Sequence, residues 1–266
     1  IGSVKTLKED EKSMTVLKVN DEIIQNKVKN NENNSVISIG IDGDSDINET
    51  ILNGETTNIM DKKESVLEIK SDLATYILPA SEINIENIAE QFGKETNLED
   101  MVISVKIAKS SDETKREIQK NADENKYDVI VEPIDFEITA NYKEKTTKIS
   151  KFNSYVEKML PISKDIDSSN VITGIIFNEN GSISHVPTTI VSIDGKYFAK
   201  IKSLTNSTYS AISNPVKFID VEKHWARDSI SNIGARLIIS SNKSNKFNPD
   251  KKVTRAKFSE IIVKAL

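Results

Sequence analysis

The chain has 266 residues, 37% hydrophobic and 29% charged, a mix that fits a globular protein with a real core and excludes a disordered or collagenous one. Its 41 acidic and 36 basic residues leave a net charge of -5 without a long basic run, so nucleic acid is not an expected partner. Cysteine is absent, which removes disulfides, thiolate metal sites and cysteine nucleophiles. The two histidines, His185 and His224, stand far apart with no H-E-x-x-H spacing.

No apolar run approaches the roughly 20 residues that cross a bilayer, so no membrane span is expected. The opening IGSVKTLKED does not read as a secretion signal, so the signal of an exported protein would have been removed or would lie upstream. Spacings of three and four predict a first helix over 21–29, with Ile23, Ile24 and Val28 on one face. Alternation then predicts strands at Val36, Ile37, Ile39 and Ile41, at 66–69, and at 74–78, where Pro79 closes the run. Between the first two of these, Asp42, Asp44 and Asp46 alternate as the oxygens of a calcium loop do. Ile47 stands at the sixth place and Asn53 at the twelfth, where such loops need glycine and an acid, so a solvated acidic turn is the first reading and calcium the alternative.

A second helix is predicted over 85–92, with Ile85, Ile88, Ala89 and Phe92 together. Ile103, Val105 and Ile107 then alternate with Ser104 and Lys106. Ser111 should cap a polar surface helix that runs to about Glu124. A strand beginning near Tyr127 is expected to break at Pro133, and a longer one to follow through Ile134, Phe136 and Ile138. From Thr173 on, Asn180-Gly181 and Asp194-Gly195 mark hairpin turns in a meander. His185 lies in this region near Ser182, Ser184 and Asp194, but no G-x-S-x-G elbow accompanies them and a structural histidine is the reading.

The turn Ser213-Asn214-Pro215 is the best boundary, because the pattern after it changes from period two to 3.6. Asp220 is expected to cap a helix starting at Val221 to His224, with Ala226, Ile230, Ile233 and Leu237 as its apolar stripe and Trp225 beside it. A polar loop leads to Phe247 and Pro249. Thr254 then caps a second helix carrying Phe258, Ile261, Ile262 and Leu266. Such a helical hairpin has too little core to stand alone, so its apolar faces should meet another copy or the preceding domain. Taken from the residues alone, His224 and Trp225 read as packing residues that begin a helix and not as a metal or cofactor site, although an exposed Trp edge is a common sugar platform, and Arg255 is a cation on a first helical turn, where the dipole disfavours it.

The strings FIDVEKHWARDSISNIGARLIIS and FNPDKKVTRAKFSEIIVKAL resemble the S-layer homology repeat, with its F-x-D-V before H-W-A, its F-x-P and its T-R-A-E. Phe218, Asp220, Val221, His224, Trp225, Ala226, Phe247, Pro249, Thr254, Arg255, Ala256 and Phe258 carry the match. The resemblance implies a cell-surface structural protein, not an enzyme and without a cofactor, held noncovalently on the wall or S-layer of a Gram-positive-type bacterium by secondary cell-wall polysaccharide. It implies glycan contacts at Arg255, Trp225 and Thr254, and tandem neighbouring repeats as partners. Lys257 stands where the family has an acid, which removes the reciprocal half of a capping box, and Ser240-Ser241 where it has glycine. Residues 66–213 are similar, more loosely, to the β-rich region before the anchor repeats of clostridial and bacillar S-layer-type proteins. The expected fold is α+β: an α/β segment over 1–62, a β-rich surface domain of antiparallel strands, hairpins and a few short helices over 63–215, and the repeat over 216–266. The other reading makes the chain the non-catalytic anchoring tail of a wall-attached hydrolase.

Overall fold

The computed structural model describes residues 2–9, 11–163, 171–178, 180–239 and 245–265. The protein is α+β and rich in strand. Its chain forms two compact units from interleaved stretches: Ile1–Ser110, Ile134–Met159 and Lys202–Ser207 in the first, Ser111–Pro133, Leu160–Ile201 and Thr208–Leu266 in the second.

The first unit opens with a hairpin of β1 (Gly2–Glu9) and β2 (Lys12–Val19). It continues through α1 (Asp21–Asn30), β3 (Val36–Gly40), β4 (Ile47–Asn53), α2 (Gly54–Lys62), β5 (Val66–Lys70), β6 (Thr75–Pro79), α3 (Ile85–Phe92) and β7 (Val102–Lys109). β8 (Asp128–Tyr142) belongs to it from Ile134, followed by β9 (Lys145–Lys148) and by β10 (Lys151–Ile162) as far as Met159. One sheet of this unit runs β1-β2-β4-β7-β8, with β9 also on β8; the other runs β10-β6-β5-β3.

The alternation sets the register. Ile103, Val105 and Ile107 on β7 stand opposite Ala140, Ile138 and Phe136 on β8, and all six are buried, because a one-residue slip would turn every one of them to solvent. The Tyr76 ring, from the second sheet, meets Phe136 edge-on at 5.2 Å between centroids.

Two pairings depart from the antiparallel expectation: β2 with β4 and β3 with β5 are parallel. Parallel neighbours need a crossover, and the chain between them includes α1 in the first case and α2 in the second. The helix α2 gave no periodic signal, since the residues it buries are Gly54, Thr56, Thr57, Asn58 and Met60. It is capped by Asn53, whose side chain accepts from Thr56 N at 2.7 Å. In α1, Ile24 and Val28 are buried but Ile23 is 51% exposed, so the three do not share one covered face. The hairpin β1–β2 was also not anticipated; every residue of β1 from Gly2 to Lys8 is exposed, and no apolar face marks it.

The second unit begins with α4 (Asp112–Asn125), where Ser111 accepts from Thr114 N as the cap. The helix is not wholly a surface element, because Ile118 and Ala122 are buried. β8 passes through Pro133 without a break, so proline here lies within a strand. Then come β11 (Ile172–Phe177), β12 (Ile183–Val186), β13 (Thr188–Ile193), β14 (Lys196–Thr205, its residues to Ile201 in this unit) and β15 (Thr208–Ser213). β11 pairs with both β12 and β15, and β13 with β14, all antiparallel. Asp194 and Gly195 both take positive φ, 50° and 73°, in the two-residue turn between β13 and β14, and Gly181 has φ 77°. Gly174 of β11 has no room for a side chain: a Cβ there would stand 2.7 Å from Ile201 and Thr188 side-chain atoms.

Two helices close the chain, α5 (Arg227–Ala235) and α6 (Arg255–Ala265). Around α5, Phe218, Val221, Ile230, Ile238 and Ile239 form a small core, with Val216, Ala226, Ile233, Phe247 and Ile261 packed on it. A second cluster of the same unit joins Ala122, Tyr127, Ile175 and Ile212 with Val129, Ile183 and Leu237. Among the described residues, no helix is long and apolar enough to cross a membrane.

Candidate functional site

Asp220 caps no helix. The stretch 219–226 is a series of turns, α5 starts only at Arg227, and the Asp220 carboxylate is committed elsewhere. Its Oδ1 accepts from Phe247 N at 2.9 Å and its Oδ2 from Asn248 N at 2.7 Å. Two consecutive amides facing one carboxylate form an anion-binding nest, completed by Asn248 in the left-handed region at φ 61°. Desolvation pushes the Asp220 carboxyl up, but these two amides, its own backbone and Lys246 leave it below the usual carboxylate range.

Other contacts tie the same two segments together. Ile219 N donates to Asn245 O at 3.1 Å, and the Phe218 and Phe247 rings lie 5.6 Å apart. His224 accepts from Ala226 N through Nδ1, and its Nε2 stands 3.8 Å from Asp250 Oδ1. Phe218 is buried, while Phe247 and Pro249 are half-buried.

The end of α5 has its own logic. Leu237 N donates to Gly234 O and Ile238 N to Ile233 O, the paired bonds of a Schellman motif, with Leu237 at φ 62° in the position that glycine usually takes. Leu237 therefore leaves the stripe predicted for it: it packs on the Ala122, Tyr127, Ile175 and Ile212 cluster, and Ile238 and Ile239 take its place beneath α5.

Trp225 is 92% exposed, so the packing reading of this indole is set aside. The ring stands 5.5 Å from that of His224. Thr254 caps α6 by accepting from Lys257 N at 3.2 Å, and Arg255, the first residue of the helix, is exposed. Lys257 cannot supply the reciprocal cap and pairs instead with Glu260 at 3.0 Å. No hydrogen bond or ring contact joins Trp225 to Thr254 or Arg255. The segments that carry them are tied through Asp220, through Ile219 to Asn245, through the Phe218 and Phe247 rings, and by the approach of His224 to Asp250. In α6, Ile261 packs on the small core, but Phe258, Ile262 and Val263 are 57%, 44% and 74% exposed. Leu266 and Ser240-Ser241 lie outside the described residues. Beside this arrangement, a shallow cleft of about 520 Å³ opens between Phe218, Ile219 and Val221 on one side and Arg227, Asp228 and Ser231 on the other.

The remaining sequence candidates are not brought together. His185 Nδ1 lies 2.8 Å from Thr173 Oγ1, not on Ser182, Ser184 or Asp194; Ser182 bonds Asn180, and Asn178 donates to Ser184. Burial and the nearby Arg236 push the His185 imidazole down to about 4. At the acidic turn, Asp46 accepts from Ser13 N and Ser13 Oγ and pairs with Lys109 at 3.0 Å, which holds its carboxyl well below the usual range. Asp44 is 90% exposed and 3.8 Å from Lys109. A lysine competes there for the oxygens a calcium ion would need. Sequence reading missed Lys158, fully buried, which donates to Ser203 Oγ at 2.8 Å and Thr205 O at 3.0 Å and stands over the Tyr76 and Phe136 rings. No local pattern marks a lysine whose partners lie on distant strands.

The region combines a small two-helix core, a tied loop and an exposed indole, with charge at the start of the second helix. Residues 217–258 match the model of the S-layer homology domain, so the chain carries one, and with it a link to the bacterial cell surface. The chain is also similar to Endo-1,4-beta-xylanase A of Thermoanaerobacterium saccharolyticum, 33% identical over 63 residues, which cover 24% of this chain and 5% of that enzyme. The likeness lies in the S-layer homology region and spans a small fraction of the relative's length.

Proposed function

We propose that this chain is part of a cell-surface structural protein of a Gram-positive-type bacterium, held on the wall by noncovalent binding of secondary cell-wall polysaccharide through its S-layer homology repeat. The observation that carries the reading is Trp225: an indole 92% exposed within a matched S-layer homology domain has a flat apolar face free for a sugar ring. Arg255 offers a cation to anionic groups of the glycan, and Thr254 shapes the site from the cap of α6. Together α5 and α6 act as the helical hairpin of one repeat over 216–266, behind a β-rich surface domain over 63–215 and an α/β segment over 1–62. Neighbouring repeats cover the exposed Phe258, Ile262 and Val263 of α6.

Sedimentation with purified wall sacculi tests this. The protein should pellet with intact sacculi and stay in solution once the polysaccharide has been stripped; retained binding to stripped sacculi would refute the reading. Trp225→Ala and Arg255→Ala should each weaken the interaction by about 10-fold, since an exposed stacking face or a charge-assisted bond is worth about 1.4 kcal/mol.

A second reading is supported by the xylanase relative: the chain is the non-catalytic anchoring tail of a wall-attached hydrolase. The adjoining gene sequence separates the two, by encoding either a catalytic domain or further surface modules.

A further inference from the structure

The three residues proposed to meet the glycan lie on two segments far apart in sequence, 225 on one and 254–255 on the other. Neither segment is regular where it matters: the chain at 219–226 is a run of turns, and that at 245–254 an irregular loop ahead of α6. Loops of this kind lose affinity through the entropy of ordering them, unless something orders them beforehand. The strongest tie between the two is the Asp220 carboxylate, with both oxygens used, at 2.9 Å and 2.7 Å, on the consecutive amides of Phe247 and Asn248. Asn248 takes a left-handed φ of 61°, a conformation that costs energy and is offset by the two charge-assisted bonds. Asp220 stands five residues before the indole.

We propose that Asp220 is a positioning residue for glycan recognition: without touching the sugar, its two-amide clamp fixes the spacing between the Trp225 indole and the start of α6. This rests on the reading of the repeat as a polysaccharide binder. It assigns the F-x-D position a task different from a helix cap.

The sequence makes a direct test available, because Trp225 is the only tryptophan and cysteine is absent. In the full chain, Ala256→Cys carries a dansyl group at the first turn of α6, and energy transfer from Trp225 reads the spacing. Asp220→Ala should broaden and lower the transfer, speed amide exchange at Phe247 and Asn248, and weaken binding to intact sacculi by roughly 10-fold or more. Asp220→Asn keeps one acceptor oxygen and should fall between, with the helical circular dichroism and melting midpoint close to those of the unaltered protein. If Asp220→Ala loses its helical circular dichroism, the Asn variant carries the comparison. Unchanged transfer in the variants, or unchanged sacculus binding while the unaltered protein binds, overturns the clamp and leaves the anchoring reading standing. Failure of the unaltered protein to bind any sacculi overturns both.

Discussion

Gly234 sits where α5 comes closest to the Phe218 ring: a Cβ added there would stand 2.9 Å from a ring carbon. Glycine is costly inside a helix, so its presence follows from this approach and not from propensity. Gly234→Ala should therefore lower stability by about 1–3 kcal/mol despite its better helix propensity, read as a shift in denaturant midpoint. Lys158 makes the opposite kind of test. Removing its side chain in Lys158→Ala empties a fully buried site and strips Ser203 and Thr205 of a donor, at an expected cost of about 3 kcal/mol or more. Lys158→Met, which fills the space between the Tyr76 and Phe136 rings, should cost less. His185 gives a pH dependence with a definite sign. Its folded value, about 4, lies below the ordinary imidazole value near 6.5, so below that value the unfolded chain takes up a proton that the folded chain refuses. The contribution of His185 to stability should be constant above about pH 7, fall as pH drops from 6.5 towards 4, and level off below. His185→Gln should remove that part of the slope in a series of melting curves.

At the scale of elements, caps and alternation were legible and crossovers were not. The spacing gave α3 its bounds, and Ser111 its role, because both depend on neighbours a few residues apart. Ser111→Ala should cost about 1 kcal/mol, measured by thermal unfolding, through loss of the bond from Thr114 N. The helix α2 was illegible because it hides Thr56, Thr57 and Asn58 in the interior. Their burial is tolerable because each finds a partner: Thr56 Oγ1 donates to Asp21 Oδ1 on α1 at 2.7 Å, Thr57 Oγ1 to Asn53 O at 3.2 Å, and Asn58 Nδ2 to Glu55 of the same helix at 3.3 Å. Asp220 shows the same limit. An aspartate ahead of a helical pattern reads as a cap, and only the fold brings it the amides of Phe247 and Asn248, which satisfy it better than the first turn of α5 would.

At the scale of the whole molecule, the S-layer homology repeat does not stand apart from the strands before it within the second unit. Leu237 packs on Ile175 and Ile212, Asn214 donates toward the carbonyls that end α5, and Arg236 donates to Thr188 O at 3.2 Å. A chain ended at residue 215 loses these contacts. Its second unit should then become more readily cleaved by protease than in the full chain, with earlier exchange at the buried Ile118 of α4 as a second readout. The amino-acid sequence by itself determined that the protein mixes strands and helices, where the hairpin turn at Asp194-Gly195 falls, and that residues 217–258 carry an S-layer homology domain, since all of these are written in local spacing and motif. Only the tertiary structure decided which strands run parallel, that Trp225 is exposed while Phe218 is covered, and that Asp220 holds a loop instead of a helix. The reason is physical: burial and hydrogen-bond partnership depend on which distant segments meet, and for a carboxylate or an indole several local fates differ by only about 1–2 kcal/mol until those segments arrive.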